Sequence, residues 1–370
     1  MIGPFREQDF LDLHRLLATT PGPSLNEAPR RAVLEKLLQE NGLSGQTDAA
    51  GNLWVALGPE GDWENTVVFD AHIDVVEKGF TPEVRVTEKH LTGLGVGDDL
   101  VAVTMLALAA YRLRSGSTPL RRPLKILFSV GEEGLGNLAG VRQMVADYAA
   151  APRLFVAFDG TLDTYSISGL GSRRYRIEFQ CAGGHSWGDF GAPSATAELV
   201  EFLHELRAVY STLAATTGEA FSFNIGTVEG GEGINSISRR SRATFEFRSG
   251  APEMLDQVAR HVHELVDTFV KKNGVASQLT EIGERPAARA VDPERIRALV
   301  EPILRRYVVS PQTVIMSTNI NVPLAHGWPA VRIGLYRGGN AHREDEQVER
   351  SSLAAGWSIL DTLCRELLEG

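Results

Sequence analysis

The run Val67-Val68-Phe69-Asp70-Ala71-His72-Ile73-Asp74-Val75-Val76 ends in two residues whose types and spacing suit metal chemistry. Its apolar start reads as a buried strand. Positions i and i+2 of an extended backbone point the same way, so His72 and Asp74 emerge together at the strand's end. An imidazole that binds a metal through one ring nitrogen needs the other nitrogen held, and a neighbouring carboxylate can hold it. A single His-x-Asp is equally a structural hydrogen-bonded pair. The metal reading gains because acids and histidines recur just after other apolar runs. Leu91 to Gly97 leads into Asp98-Asp99, Leu124 to Val130 into Gly131-Glu132-Glu133-Gly134, and Arg153 to Phe158 into Asp159-Gly160. Pro329 to Leu335 feeds the glycine-rich loop that ends at His342.

If these strand ends converge, His72, Asp74, Asp98, Asp99, Glu132, Glu133, Asp159 and His342 share one small volume. Like charges that close force protonation unless cations enter. Two divalent ions solve the problem. Three ligand carboxylates, a bridging hydroxide and two neutral imidazoles nearly balance them. Mixed oxygen and nitrogen ligands suit zinc, with cobalt or manganese as alternatives, and the absence of cysteine ligands points to an open catalytic site. Each residue also has an ordinary structural alternative. Asp98 would cap the next helix, Glu132-Glu133 would be a solvated turn, Asp159-Gly160 a simple turn, and His342 a solvated loop histidine.

The elements that position these residues read as follows. Helices are expected over Phe5 to Leu17 and Glu27 to Asn41, the second opened by Ser24-Leu25-Asn26-Glu27 in the form of a capping box. Leu100 to Leu113 is a strongly apolar helix, and Asn137 to Ala149 another. Strands alternating with helices imply a largely parallel sheet whose ligands bind beyond the carboxyl ends of the strands. From Gly169 the character changes. Strands Arg173 to Cys181, Phe221 to Val228, Arg242 to Phe247 and Ser277 to Ile282 interleave with helices Pro193 to Leu213 and Pro252 to Lys272. That order, β-α-β-β-α-β, is ferredoxin-like. The expected fold is therefore α/β: a mostly parallel-sheet catalytic domain, residues 1–170 and 285–370, interrupted by an inserted α+β domain, residues 171–284.

Totals narrow the function. At 370 residues the chain has room for two domains, and its formal charge of −10 argues against nucleic acid or an anionic membrane as partner. Its two cysteines, Cys181 and Cys364, exclude a disulfide framework and a cysteine-rich zinc site. Met1 to Phe10 already carries Arg6, Glu7 and Asp9, so no signal peptide is read, and no apolar run reaches the ~20 residues of a membrane span. A cytoplasmic location is the expectation.

The motifs DAHIDVV, GLGVGDD, VGEEGLG, AFDG and GGNAH, in this order and with a mid-chain insertion, resemble the dizinc peptidase and deacylase family that includes peptidase T, glutamate carboxypeptidase, aminoacylase and succinyl-diaminopimelate desuccinylase. The resemblance spans nearly the whole chain. It implies that His72 and Asp159 bind one zinc, that Glu133 and His342 bind the other, and that Asp98 bridges both. Asp74 would orient His72, and Glu132 would be the general base for the bridging water. A cis peptide is implied at Asp98-Asp99. In Gly183-Gly184-His185-Ser186, His185 resembles the lid histidine that stabilises the tetrahedral oxyanion. Asn235 resembles a second carbonyl contact, and Arg248 the arginine that takes a substrate carboxylate. A homodimer through the inserted lid domain is a further implication.

The resemblance thus implies a hydrolase that cuts an amide bond in a small di- or tripeptide. One alternative is an N-acyl amino acid deacylase with the same site, and another is a non-catalytic metal-binding relative. Two positions depart from the family pattern. Leu100 stands where many relatives have lysine, and Asn319 where relatives often have aspartate within Thr-Asp-Ala. Both lie where substrate selectivity is set.

Overall fold

The computed structural model describes every residue except 77–81, 117, 217, 219–220, 271–274 and 370. The expected end of one helix, Lys272, falls outside the described residues. Two compact units emerge, Met1–Gly169 with Arg289–Gly370, and Leu170–Ala288.

The first unit is built on an eight-stranded sheet. Its spatial order is Gly45–Thr47, Leu53–Leu57, Leu124–Ser129, Val67–His72, Leu154–Phe158, Ala330–Ile333, Thr164–Ser166 and Gln312–Thr313. The four central strands run parallel to one another, so their carboxyl ends lie along one edge. All six residues of Val67–His72 are buried, as a central strand covered on both faces requires. Helix Leu100–Ser115 is buried from Leu100 through Ala110, all round, which explains why it shows no polar stripe in sequence. Phe69 meets Phe158 edge-to-face across adjacent strands at 5.1 Å. A smaller four-stranded sheet, in the order Gly338–Gly339, Gln347–Glu349, His90–Thr92 and Arg85–Val86, ties the segment before Asp98 to the segment after His342.

The second unit has four antiparallel strands, Phe221–Gly230, Arg240–Ser249, Gly171–Gln180 and Ala276–Arg285, in that spatial order. Helices Ala195–Thr216 and Pro252–Val270 complete the ferredoxin-like arrangement read from the sequence. Alternate strand residues, among them Tyr175, Ile177, Phe179, Phe245 and Phe247, join Phe202, Leu206, Val258 and Val262 of the helices in a separate core. No helix among the described residues is long and apolar enough to cross a membrane.

One expected local motif is absent. Ser24 and Glu27 do not cap helix Ala28–Glu40, which has no side-chain cap. The Ser24 hydroxyl donates instead to the Glu133 carbonyl (2.9 Å), and Glu27 accepts from the amides of Leu25 (2.8 Å) and Gly131 (3.0 Å). Both side chains serve the loop that presents Glu132 and Glu133.

Helix Arg350–Leu368 carries a buried glycine, Gly356, at which a Cβ would overlap the Leu335 carbonyl oxygen. Glycine to alanine inside a helix ordinarily adds stability, by about 0.5–1 kcal/mol. Here the sign reverses: Gly356→Ala should cost roughly 1–3 kcal/mol through overpacking, read as a lower midpoint in urea unfolding.

Candidate metal centre

Parallel strands deliver the side chains to one edge, and the loops beyond them set the geometry. His72 ends its strand with the ring buried. Its Nε2 lies 3.1 Å from Asp98 Oδ1, and its Nδ1 lies 3.0 Å from the backbone carbonyl of Asp74. On the other side of Asp98, Oδ2 is 3.2 Å from His342 Nε2, which is also 2.8 Å from Glu133 Oε1. Asp98 thus stands between two imidazoles, one to each carboxylate oxygen. The Asp98-Asp99 peptide is cis. Donor atoms of His72, Asp98 and Asp159 lie within 4.8 Å of one another; so do those of Asp98, Glu133 and His342, and those of His72, Glu132 and Glu133. Glu132 and Glu133 are each only 5 % exposed, which removes the solvated-turn alternative. Asp98 makes no cap, since the residue at the helix start is Asp99 and no side-chain cap bond forms there.

The electrostatics show what the cluster lacks. Burial pushes Asp159 up to about 6, with Asp98 adding to the effect. Burial also pushes Glu133 up to about 7, with Asp98 and Glu132 adding repulsion against the pull of His342. The His342 imidazole rises to about 10 through its bonds to Asp98 and Glu133. Burial opposes charge on His72, but Asp74 and Asp98 outweigh it and hold the ring well above its ordinary value. Burial likewise opposes charge on Asp98, yet His342 and His72 keep it well below the usual carboxylate range. Glu133 and Asp159 are pushed toward keeping their protons and both imidazoles toward gaining them, so positive charge is what the pocket favours. Oxygen and nitrogen donors in this number fit divalent cations.

The loops are held by acids that are not themselves part of these clusters. Asp74 spends its carboxylate on backbone: Oδ1 accepts from Glu132 N (3.1 Å) and Oδ2 from Glu133 N (2.8 Å), while His72 Nδ1 is 3.6 Å from Oδ1. With Glu27 on Gly131 N, three successive amides are fixed by two buried carboxylates. Arg30, 2 % exposed, sits behind them and donates to the carbonyls of Leu17, Thr20, Gly22 and Ile73. Burial lowers the guanidinium only to about 10, with Asp74 and Glu27 supporting its charge. Glu346 holds the other loop, accepting from Gly95 N (2.9 Å), Gly97 N (2.7 Å) and Asp98 N (2.8 Å). Asp99 accepts from His72 N at 3.2 Å. The buried Arg332 donates to the Asp159 carbonyl at 2.7 Å.

Residues 68–366 match the sequence pattern of the peptidase family M20/M25/M40. The chain belongs to this family. A peptidase M20 domain-containing protein of Schizosaccharomyces pombe is 25 % identical over 275 residues, which take in 70 % of this chain and 64 % of that protein. Among solved structures, aminopeptidase PepT from Bacillus cereus ATCC 10987 superposes with a TM-score of 0.75 at 18 % identity, covering 99 % of this chain and 100 % of the other. A tripeptidase from Staphylococcus aureus gives 0.77 at 17 % identity over 98 % and 100 %. The dipeptidase Dug1p from Saccharomyces cerevisiae gives 0.73 at 14 % over 98 % and 96 %. At these identities the likeness establishes the fold. The aligned stretch spans less than two thirds of the Schizosaccharomyces pombe protein's own length.

The remaining residues singled out in the sequence lie in the second unit. His185 and Asn235 are exposed, and the Ser186 amide donates to the Asn235 carbonyl at 3.0 Å. Arg248 already has a partner: its Nε and Nη2 donate to the two oxygens of Glu246 at 2.9 and 3.2 Å. Sequence reading missed Glu27, Arg30, Glu346, Asp70 and Arg332. Asp70 and Arg332 did carry a signal, a charge inside an otherwise apolar strand. Glu346 carried none, being one acid among Arg343-Glu344-Asp345-Glu346.

Two outcomes follow. Metal uptake must displace protons from His342, Glu133 and Asp159, so apparent zinc affinity should weaken as pH falls below about 10, and more steeply through about 7 and then about 6. Calorimetry in buffers of differing ionisation enthalpy reads the released protons, and a pH-independent affinity would contradict this. Glu346→Ala should weaken metal binding by about 10–100-fold, measured against a competing chelator, because the Asp98 loop loses its acceptor.

Proposed function

We propose that the chain is a metal-dependent peptidase that hydrolyses the amide bond of a di- or tripeptide, using two divalent cations, zinc first among the choices. The observation that carries this reading is Asp98 between His72 and His342, with Asp159 near one pair and Glu133 near the other. In this reading His72 and Asp159 would hold one ion and Glu133 and His342 the second, with Asp98 shared between the two. Bound cations would supply Lewis acidity, which brings the pKa of water toward neutrality and polarises a carbonyl. The relatives named as aminopeptidase, tripeptidase and dipeptidase support the choice of a small peptide.

The chain's own residues divide the remaining work. Glu132 takes a proton from the attacking water at its carboxylate and returns it to the leaving amine nitrogen. Its backbone amide is pinned by Asp74, which fixes the direction from which that carboxylate leaves the chain. His185 donates an N–H to the oxygen that gains charge, and Asn235 is a second contact to that carbonyl. Arg248 takes the substrate carboxylate, which must then share the guanidinium with Glu246.

Glu132→Gln should retain its metal and its fold while kcat drops by about 10²–10⁴-fold. Wild-type turnover by that variant would remove Glu132 from the role. The substrate class is checked by mass spectrometry on matched panels of dipeptides, tripeptides and N-acetyl amino acids, with zinc, cobalt or manganese added. Cleavage confined to the N-acetyl panel would replace the peptidase reading with a deacylase.

A further inference from the structure

A histidine that stabilises an oxyanion must present a protonated nitrogen outward, and a neutral imidazole has only one proton to offer. His185 sits at the start of a tight turn in the second unit. Its strand pair, Gly184–His185 with Ser236–Ile237, anchors the base of the turn. Beyond it the chain folds back so that the amides of Trp187 and Gly188 both donate to His185 Nδ1, at 3.2 Å each. A backbone amide only donates, so Nδ1 must present its lone pair. The proton of the neutral ring is then on Nε2.

Asp189 closes this turn. Its Oδ2 accepts from the His185 amide at 2.7 Å, and its own amide donates to the His185 carbonyl at 3.0 Å. The position of the Asp189 side chain leaves no room at Gly184, where a Cβ would lie 2.7 Å from Oδ2. The backbone is thus bent around the imidazole by a carboxylate four residues on, and the bend aims two N–H groups at one ring nitrogen.

We propose that Asp189 is a positioning residue that locks His185 in the Nε2–H tautomer, with Nε2 as the outward donor. The proposal rests on the role given above to His185 in amide hydrolysis. Asp189 touches no reacting atom; it acts by holding the turn that reads out the tautomer. Trp187 and Gly188 contribute through backbone alone, so the exposed Trp187 side chain is free to vary without loss of the lock. The acceptor at 189 is not.

The test uses the full-length, metal-loaded protein labelled with ¹⁵N-histidine. Two-bond proton–nitrogen spectra, with the ring signals assigned by His185→Ala, report which nitrogen is protonated. Wild type should show an unprotonated Nδ1 and a protonated Nε2. Asp189→Ala should show mixed tautomers at His185 and a kcat lower by roughly ten- to a hundredfold with KM little changed, the scale expected of a misplaced catalytic group. Asp189→Asn keeps an acceptor for the His185 amide and should recover both the spectrum and most of the rate. An Nδ1–H tautomer in wild type overturns the proposal, as does Asp189→Ala with an unaltered ring spectrum or wild-type kcat. Wild-type turnover by His185→Ala would instead overturn the role of His185 in the reaction, and with it the reason for the lock.

Discussion

Buried carboxylates that accept from backbone amides hold the loops that carry the candidate metal ligands, and the arrangement of the cluster depends on them. Asp74 and Glu27 fix the amides of Gly131, Glu132 and Glu133, and Glu346 fixes those of Gly95, Gly97 and Asp98. A parallel sheet guarantees that strand ends meet along one edge, but not how a loop leaves that edge. Such loops have irregular backbone whose amides find no ladder partner, and when buried they need an acceptor. A carboxylate offers two oxygens and a charge-assisted bond stronger than a neutral one. A single carboxylate can therefore orient two or three consecutive peptide units at once.

That solution concentrates negative charge where the ligands already crowd. Glu346 is pushed up to about 7 by burial, and Glu27 is raised for the same reason. Arg30 offsets part of this charge from behind, in contact with backbone carbonyls on several sides. On the side of the cluster Arg332 offsets part of the charge on Asp159, and the two imidazoles rise to meet the other acids. The asymmetry has a clear physical consequence. Arg30 offsets Asp74 and Glu27 behind the loops, whereas in the central cluster buried acids crowd Asp98 closely enough to favour cations.

The framework was legible in the sequence because it follows from short-range pattern. Apolar runs marked the central strands, the all-apolar stretch after Asp99 marked the buried helix, and β-α-β-β-α-β marked the second unit's topology. His72, Glu132, Glu133 and Asp159 could be named because a parallel sheet brings such strand ends together, while Asp98 and His342 come from loops of the smaller antiparallel sheet. The supporting acids could not, since each acts across a long sequence separation: Glu346 on Asp98, Glu27 on Gly131. The Ser24 to Glu27 segment shows the limit most plainly. A local helix-start signal and a distant loop compete for the same two side chains, and the distant loop takes both: its Glu133 carbonyl accepts from Ser24 and its buried Gly131 amide donates to Glu27.

Asn319 shows how a departure from family pattern becomes intelligible once a distant partner is known. Its amide group donates to Asp70 Oδ2 and to Ser129 Oγ, at 2.8 Å each, all three residues being buried. Asp70 lies two residues before His72, inside the central strand, where burial pushes its carboxyl up to about 7. An aspartate at 319 would bring a second carboxylate against the first, and like charges that close disfavour each other. An asparagine supplies the two N–H groups that Asp70 and Ser129 accept. The exchange of acid for amide at 319 therefore follows from the acid at 70. The backbone carrying His72 is buttressed by an amide–carboxyl contact.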